Sequence, residues 1–95
     1  MTINLDYAKA ERQASTLEQC AGEMLQQSKA VGTIISEVRH AWQGDTANAY
    51  LRKLEALRDE LRLNSERCNE DAIDFRARIR AIKKADEDAQ RAIGD

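Results

Sequence analysis

From Ile3 onward, apolar or small residues recur at alternating steps of three and four: Ile3, Tyr7, Ala10, Ala14, Leu17, Ala21, Met24, Ser28, Val31, Ile35, Val38 and Trp42. That spacing, about 3.5 residues on average, keeps one stripe on one side of an α-helix, whereas a half-buried strand repeats every two. The chain contains no proline to stop such a helix. One column of the stripe is small from Ala14 through Ala21 to Ser28, and the other carries Leu17, Met24 and Val31. Small side chains let a neighbouring backbone approach, and Gly22 and Gly32 thin the helix further, each costing about 1 kcal/mol of helix propensity relative to alanine.

A second helical segment has a similar stripe with a drift. Tyr50, Leu54, Leu57, Leu61, Asn64 and Cys68 serve its first half, and Ala72, Phe75, Ile79, Ile82, Asp86, Ala89 and Ile93 its second, with Leu51 and Leu63 widening the apolar side. Between the segments, HAWQGDTANAY (40–50) breaks the rhythm. Gly44 gives the backbone freedom to turn, and Asp45 or Thr46 can accept the amide hydrogen bonds of a new helix start. The spacing predicts helices over about 6–42 and 46–93, joined by a turn at 42–45 in a single domain, 1–95. Trp42 has two readings, a recognition element for a partner or a large hydrophobe closing the open end of the hairpin.

At 95 residues the chain fits one domain, and roughly a third of the unfolded surface of so small a protein stays wet after folding. A lone two-helix rod does worse, because each helix buries only one side. The expected fold is therefore all-α, an antiparallel two-helix hairpin that dimerises into a four-helix bundle. Ten residues are expected to form the intrachain seam or the contacts with a partner: Leu17, Met24, Val31, Ile35 and Val38 on the first helix, and Leu54, Leu61, Phe75, Ile79 and Ile82 on the second. The spacing does not divide them between the two roles, nor decide between a second copy and another protein.

Fifteen Lys plus Arg stand against 17 Asp plus Glu, a net charge of -2, which argues against a partner bound by neutralising many phosphates. The basic run FRARIRAIKK carries Arg76, Arg78, Arg80, Lys83 and Lys84 but is flanked by acids, and Asp74 with Arg78 and Lys84 with Asp88 have helical i,i+4 spacing. A self-compensating solvated surface is expected there, not a nucleic-acid footprint. No stretch approaches the ~18 apolar residues of a membrane span, so no stable insertion is expected, and MTINLDYAKAERQ has neither the basic nor the apolar region of a general secretory signal. His40, the single histidine, has no acid or nucleophile arranged around it, and neither catalysis nor a cofactor is expected.

Trp42-Gln43-Gly44, at a central turn between two heptad-patterned helices in a chain of this length, resembles the WXG100 family of helical-hairpin proteins exported by the type VII (ESX-type) secretion systems of Gram-positive bacteria and mycobacteria. The resemblance implies a non-enzymatic four-helix-bundle dimer, secreted folded and without a cleaved signal peptide. It also implies a secretion ATPase, and as partner another WXG100-like hairpin or the helical N-terminal region of a larger type VII effector that the protein escorts. Trp42 and Gly44 would hold one half of a composite export signal. The other half, Tyr-x-x-x-Asp/Glu after the second helix, is missing, since no tyrosine follows Ala72; Tyr7 to Glu11 has the spacing at the wrong end. Either another C-terminal signal serves, with ADEDAQRAI as a candidate, or a companion supplies the information. A cytoplasmic helical adaptor that is never exported is the alternative.

Cys20 and Cys68 are equidistant from Gly44, so an antiparallel hairpin brings them to the same level. Two readings are open: a disulfide formed after export, or two small thiols at a helix interface. Two separated cysteines and one histidine do not make the closed four-ligand set of a structural zinc.

Overall fold

A computed structural model describes residues 6–94 of the protein. Two helices, α1 (Tyr7–Ala41) and α2 (Asp45–Gly94), fold back on each other as an antiparallel, coiled-coil-like hairpin with no strand among the described residues. The rod measures 77 × 16 × 13 Å, close to the length of α2 alone at about 1.5 Å per residue. No helix of the described residues is long and apolar enough to cross a membrane.

Asp6 caps α1, its carboxylate accepting from the Lys9 amide at 3.1 Å. Trp42 ends the helix in an extended conformation, with φ -119° and ψ 144°, while its amide still donates to the Val38 carbonyl at 2.8 Å. Gly44 then takes φ 102°, and its carbonyl accepts from the Asn48 amide at 3.0 Å, opening α2. Gly44 thus fills the starting position expected of Asp45 or Thr46. Asp45 lies inside the first turn, where its charge favours the helix dipole.

The two kinds of glycine predict opposite outcomes. A Cβ on Gly22 would meet nothing within 4 Å, so Gly22→Ala should stabilise by roughly 1 kcal/mol through helix propensity alone. Gly44 also has open space around it, but its positive φ makes any side chain strained, and Gly44→Ala should destabilise by about 1–2 kcal/mol. Urea midpoints that move in opposite directions are the expected result; a shift in the same direction for both would refute the turn geometry.

On α1 the buried or half-buried positions are Tyr7, Ala10, Ala14, Leu17, Ala21, Met24, Ser28, Val31, Ile35 and Val38, flanked by Cys20 and Gly32. They follow the three-four stripe of the sequence throughout. Ile3 lies outside the described residues, and Trp42 leaves the stripe, 52% exposed.

The seam of α2 corrects the expected drift. It keeps one register along the helix: Ala47, Leu51, Leu54, Arg58, Leu61, Ser65, Cys68, Ala72, Phe75, Ile79, Ile82 and Asp86 are buried or half-buried. Tyr50 and Leu57, expected on the seam from their spacing, are each 45% exposed, and Leu63 equally so. Leu51 is on the seam, not beside it. The register favours the small and polar residues because the helix axes are close together. Ser28 Oγ donates to the Arg58 carbonyl at 3.0 Å and Ser65 Oγ to the Ala21 carbonyl at 2.6 Å. A serine reaches a backbone oxygen across the interface only where no bulky residue holds the helices apart. These bonds also satisfy both buried hydroxyls, and no buried side-chain polar atom is left without a partner among the described residues.

Candidate functional site

All ten residues expected to serve either the seam or a partner lie in the intrachain seam. Ile35, Val38 and Ile79 are buried, and Leu17, Met24, Val31, Leu54, Leu61, Phe75 and Ile82 are half-buried.

The two flanks of the seam differ in chemistry. On one flank Arg39 bonds Glu55 at 2.5 Å and Arg76 joins Glu18, crossing from helix to helix. Arg76 also donates to Ser15 Oγ at 3.1 Å. These exposed pairs set register more than stability, since each contributes about 0–1 kcal/mol. With that flank identified, the seven-residue repeat assigns the part of the other flank nearer the bend to Cys20, Gln27 and Ile34 of α1 and to Tyr50, Leu57 and Asn64 of α2, with Asp71 and Arg78 farther along α2. None of the six nearer the bend is charged. Ile34, Tyr50 and Leu57 are 43%, 45% and 45% exposed. Trp42 stacks on Tyr50, with ring centroids 5.8 Å apart and planes inclined by 30°. The bend thus presents an aromatic pair at the end of a short apolar strip.

The three-four spacing of the large hydrophobes does not single out that strip. The available signal was the column Gln13, Cys20, Gln27, Ile34, Ala41 beside it, which carries no charge in a chain where about one residue in three is charged.

Cys20 and Cys68 are both free, half-buried thiols. Cys68 is on the α2 seam, whereas Cys20 stands one residue off the α1 seam, on the uncharged flank, with Ala21 occupying the seam position. The structure contains no bridge between them. His40 is exposed, with Nδ1 3.1 Å from the Ser36 carbonyl. No group of three His, Cys, Asp or Glu able to hold a metal occurs among the described residues. In the basic run, Arg76 pairs with Glu18, Arg78 with Asp74 at 2.9 Å and Lys84 with Asp88 at 3.8 Å. Glu18, on the other helix, was not anticipated as a partner. The stretch 85–93, considered as a C-terminal signal, is helical, and its Ile93 is 85% exposed.

Tyr7 has a definite bond. Its hydroxyl donates to Asp86 Oδ2 at 2.5 Å, tying the start of α1 to the distal part of α2. The phenol is pushed up from 10.0 to about 12, first by that hydrogen bond, then by desolvation and by the charges of Asp86 and Glu87. The neutral phenol is the donor, so the contribution of this contact is fully present below pH 10 and is lost as pH rises through about 12. In the Tyr50→Phe variant Tyr7 is the only remaining phenol. Its ultraviolet titration should have a midpoint near 12, and an unperturbed midpoint would show that the bond does not form in solution.

No protein-family model, no curated protein and no solved structure matches this chain.

Proposed function

We propose that the protein is a non-catalytic helical-hairpin substrate of a type VII secretion system, of the WXG100 kind. It assembles into a four-helix bundle, either as an exported dimer or as the helper of a larger secreted effector. The observation that carries this reading is the bend. A tryptophan 52% exposed, stacked on a tyrosine 45% exposed, leaves apolar area in water that folding alone would favour burying. Gly44 at φ 102° turns the chain so that α2 brings Tyr50 against Trp42. Aromatic pairs offered in this way are favoured anchors for a protein partner, and Trp42-Gln43-Gly44 has the spacing of the family's turn motif. The uncharged strip beside the bend supports the bundle in the same way.

The test uses a host that encodes a type VII translocase. Intact protein should accumulate in the medium, depend on the translocase ATPase and appear without lysis markers. Trp42→Ala should lower export at least severalfold while shifting the melting temperature little, because the ring lies outside the seam. Protein retained in the cells whether or not the translocase is present would favour a cytoplasmic adaptor. Equal loss of export and of folding in Trp42→Ala would leave the tryptophan a structural residue only.

A further inference from the structure

We infer that Cys20 and Cys68 close an intrachain disulfide when the folded protein meets a small-molecule disulfide, and that the bridge staples α1 to α2. The two free thiols are the reduced form of this pair. The inference goes beyond the secretion reading and does not depend on it.

The cysteines are the only two in the chain, and they stand on different helices. The ion pairs show which side of the seam each occupies. Glu18 with Arg76 and Arg39 with Glu55 mark one flank by crossing from helix to helix. Each of these four residues stands four after a seam position, Glu18 after Ala14 and Arg76 after Ala72 for example, and side chains four apart on a helix are neighbours. The seam column of Ala14 and Ala21 on α1, and of Ser65 and Ala72 on α2, therefore borders the ion-paired flank. The second column of each helix borders the opposite flank. Cys68 belongs to that second column on α2, and Cys20 lies on that opposite flank of α1, three residues after Leu17 of the second column. Cys68 is thus in the column nearest to Cys20.

Height along the rod follows from a short contact. Ser65 Oγ donates to the Ala21 carbonyl at 2.6 Å, which gives one point of register beside the pair. Towards the open end of the hairpin, Cys68 is three residues beyond Ser65 and Cys20 one residue beyond Ala21. The difference of two residues is about 3 Å of rise. A disulfide joins α-carbons about 4.4–6.8 Å apart, so the rest of the span is met across the interface. It is met where small residues hold the helices close: Ala21, Ser65 and Ala72 are all buried.

Both thiols are half-buried, so neither is sealed from a small reagent R–S–S–R. One cysteine thiolate attacks it, forming a mixed disulfide as one RS⁻ leaves. The other cysteine thiolate then attacks the protein sulfur of that mixed disulfide, and the second RS⁻ leaves. The protein gives up two thiol protons and two electrons, and the reagent is reduced to two RSH. The closed loop contains the bend and the near half of both helices, and a loop of that length strongly restricts the unfolded chain.

Oxidised glutathione is the probe. The folded parent should become a monomer lighter by two hydrogens, and its tryptic digest should join the peptide Gln13–Lys29 to the peptide Cys68–Arg76. Its melting temperature should exceed that of the reduced protein by about 10–20 °C, and reduction should remove the difference. Glu18→Cys in a Cys20→Ser background moves the thiol by two residues to the ion-paired flank and should give no bridge to Cys68. Circular dichroism confirms that this variant is folded. Three products of the parent would overturn the inference: a chain capped by glutathione, a dimer joined through its cysteines, or a chain that keeps both thiols free. Bridging of the Glu18→Cys variant as readily as the parent would overturn the assigned placement. None of these outcomes touches the bundle or the export reading, and a protein that is never exported can still form the bridge.

Discussion

Ile35→Asp should unfold the hairpin, whereas Ile34→Asp, one residue away, should leave the melting of the isolated chain nearly unchanged. Ile35 is 2% exposed and is the largest fully buried side chain among the described residues. Removing a buried isoleucine costs about 2–5 kcal/mol before any charge is considered. The Arg58 guanidinium on the seam is already bonded to Asp59 at 3.1 Å, and either the desolvation or the protonation of the new carboxylate adds to the loss. Against the ~5–15 kcal/mol that separates folded from unfolded small domains, one substitution consumes most of the margin. Ile34 is 43% exposed on the uncharged flank, where surface substitutions change stability by about 0.5 kcal/mol or less. Its effect should appear in association instead: Ile34→Asp should raise the concentration needed to form the proposed bundle. Thermal melts at high dilution, paired with sedimentation at high concentration, separate the two. If both variants melt like the parent, the register of α1 is wrong.

The contrast between these neighbours was half legible in the sequence. The α1 stripe could be read directly because its apolar and small residues keep strict three-four steps with polar residues on most other positions, and the structure buries those described positions from Tyr7 to Val38. In α2 two apolar columns run side by side, Leu51 and Leu54 with Leu61 on one and Tyr50 with Leu57 on the other, and three-four spacing alone fits a stripe that mixes them. What decides between them is the partner helix. Facing Ala21 and Ser28, the second helix can come close enough for Ser65 and Ser28 to reach carbonyl oxygens. Arg58 takes a seam position by laying its stem along the interface, its Cδ 4.0 Å from where a Gly32 Cβ would stand, while its head bonds Asp59 at 3.1 Å. Polar residues on a seam are recognisable only once both helices are known. The bend was legible from Gly44, but the stacking of Trp42 on Tyr50 depends on the return path of α2, which no local pattern specifies.

The closeness of the helices yields the second large effect. Ala21→Leu should lower stability by several kcal/mol, although it adds apolar volume to an apolar interface. Ala21 is 1% exposed, Ala14 fully buried, and the Ala21 carbonyl receives the Ser65 hydroxyl at 2.6 Å. A leucine there cannot fit without moving the axes apart, and overpacking of this kind costs about 1–3 kcal/mol. Separation also breaks the Ser65 bond and leaves a hydroxyl buried without a partner, a further ~1–3 kcal/mol. Adding Ser65→Ala to Ala21→Leu should therefore recover part of the loss, because the second change removes the stranded group and frees volume beside the new side chain. Ala30→Leu is the control, since Ala30 is exposed on the same helix and should tolerate the larger side chain. Urea unfolding of the four proteins at one concentration reads the outcome. A midpoint for Ala21→Leu equal to that of the parent would mean that the helices are not held close by their small residues, and that Ser28 and Ser65 are incidental to the register.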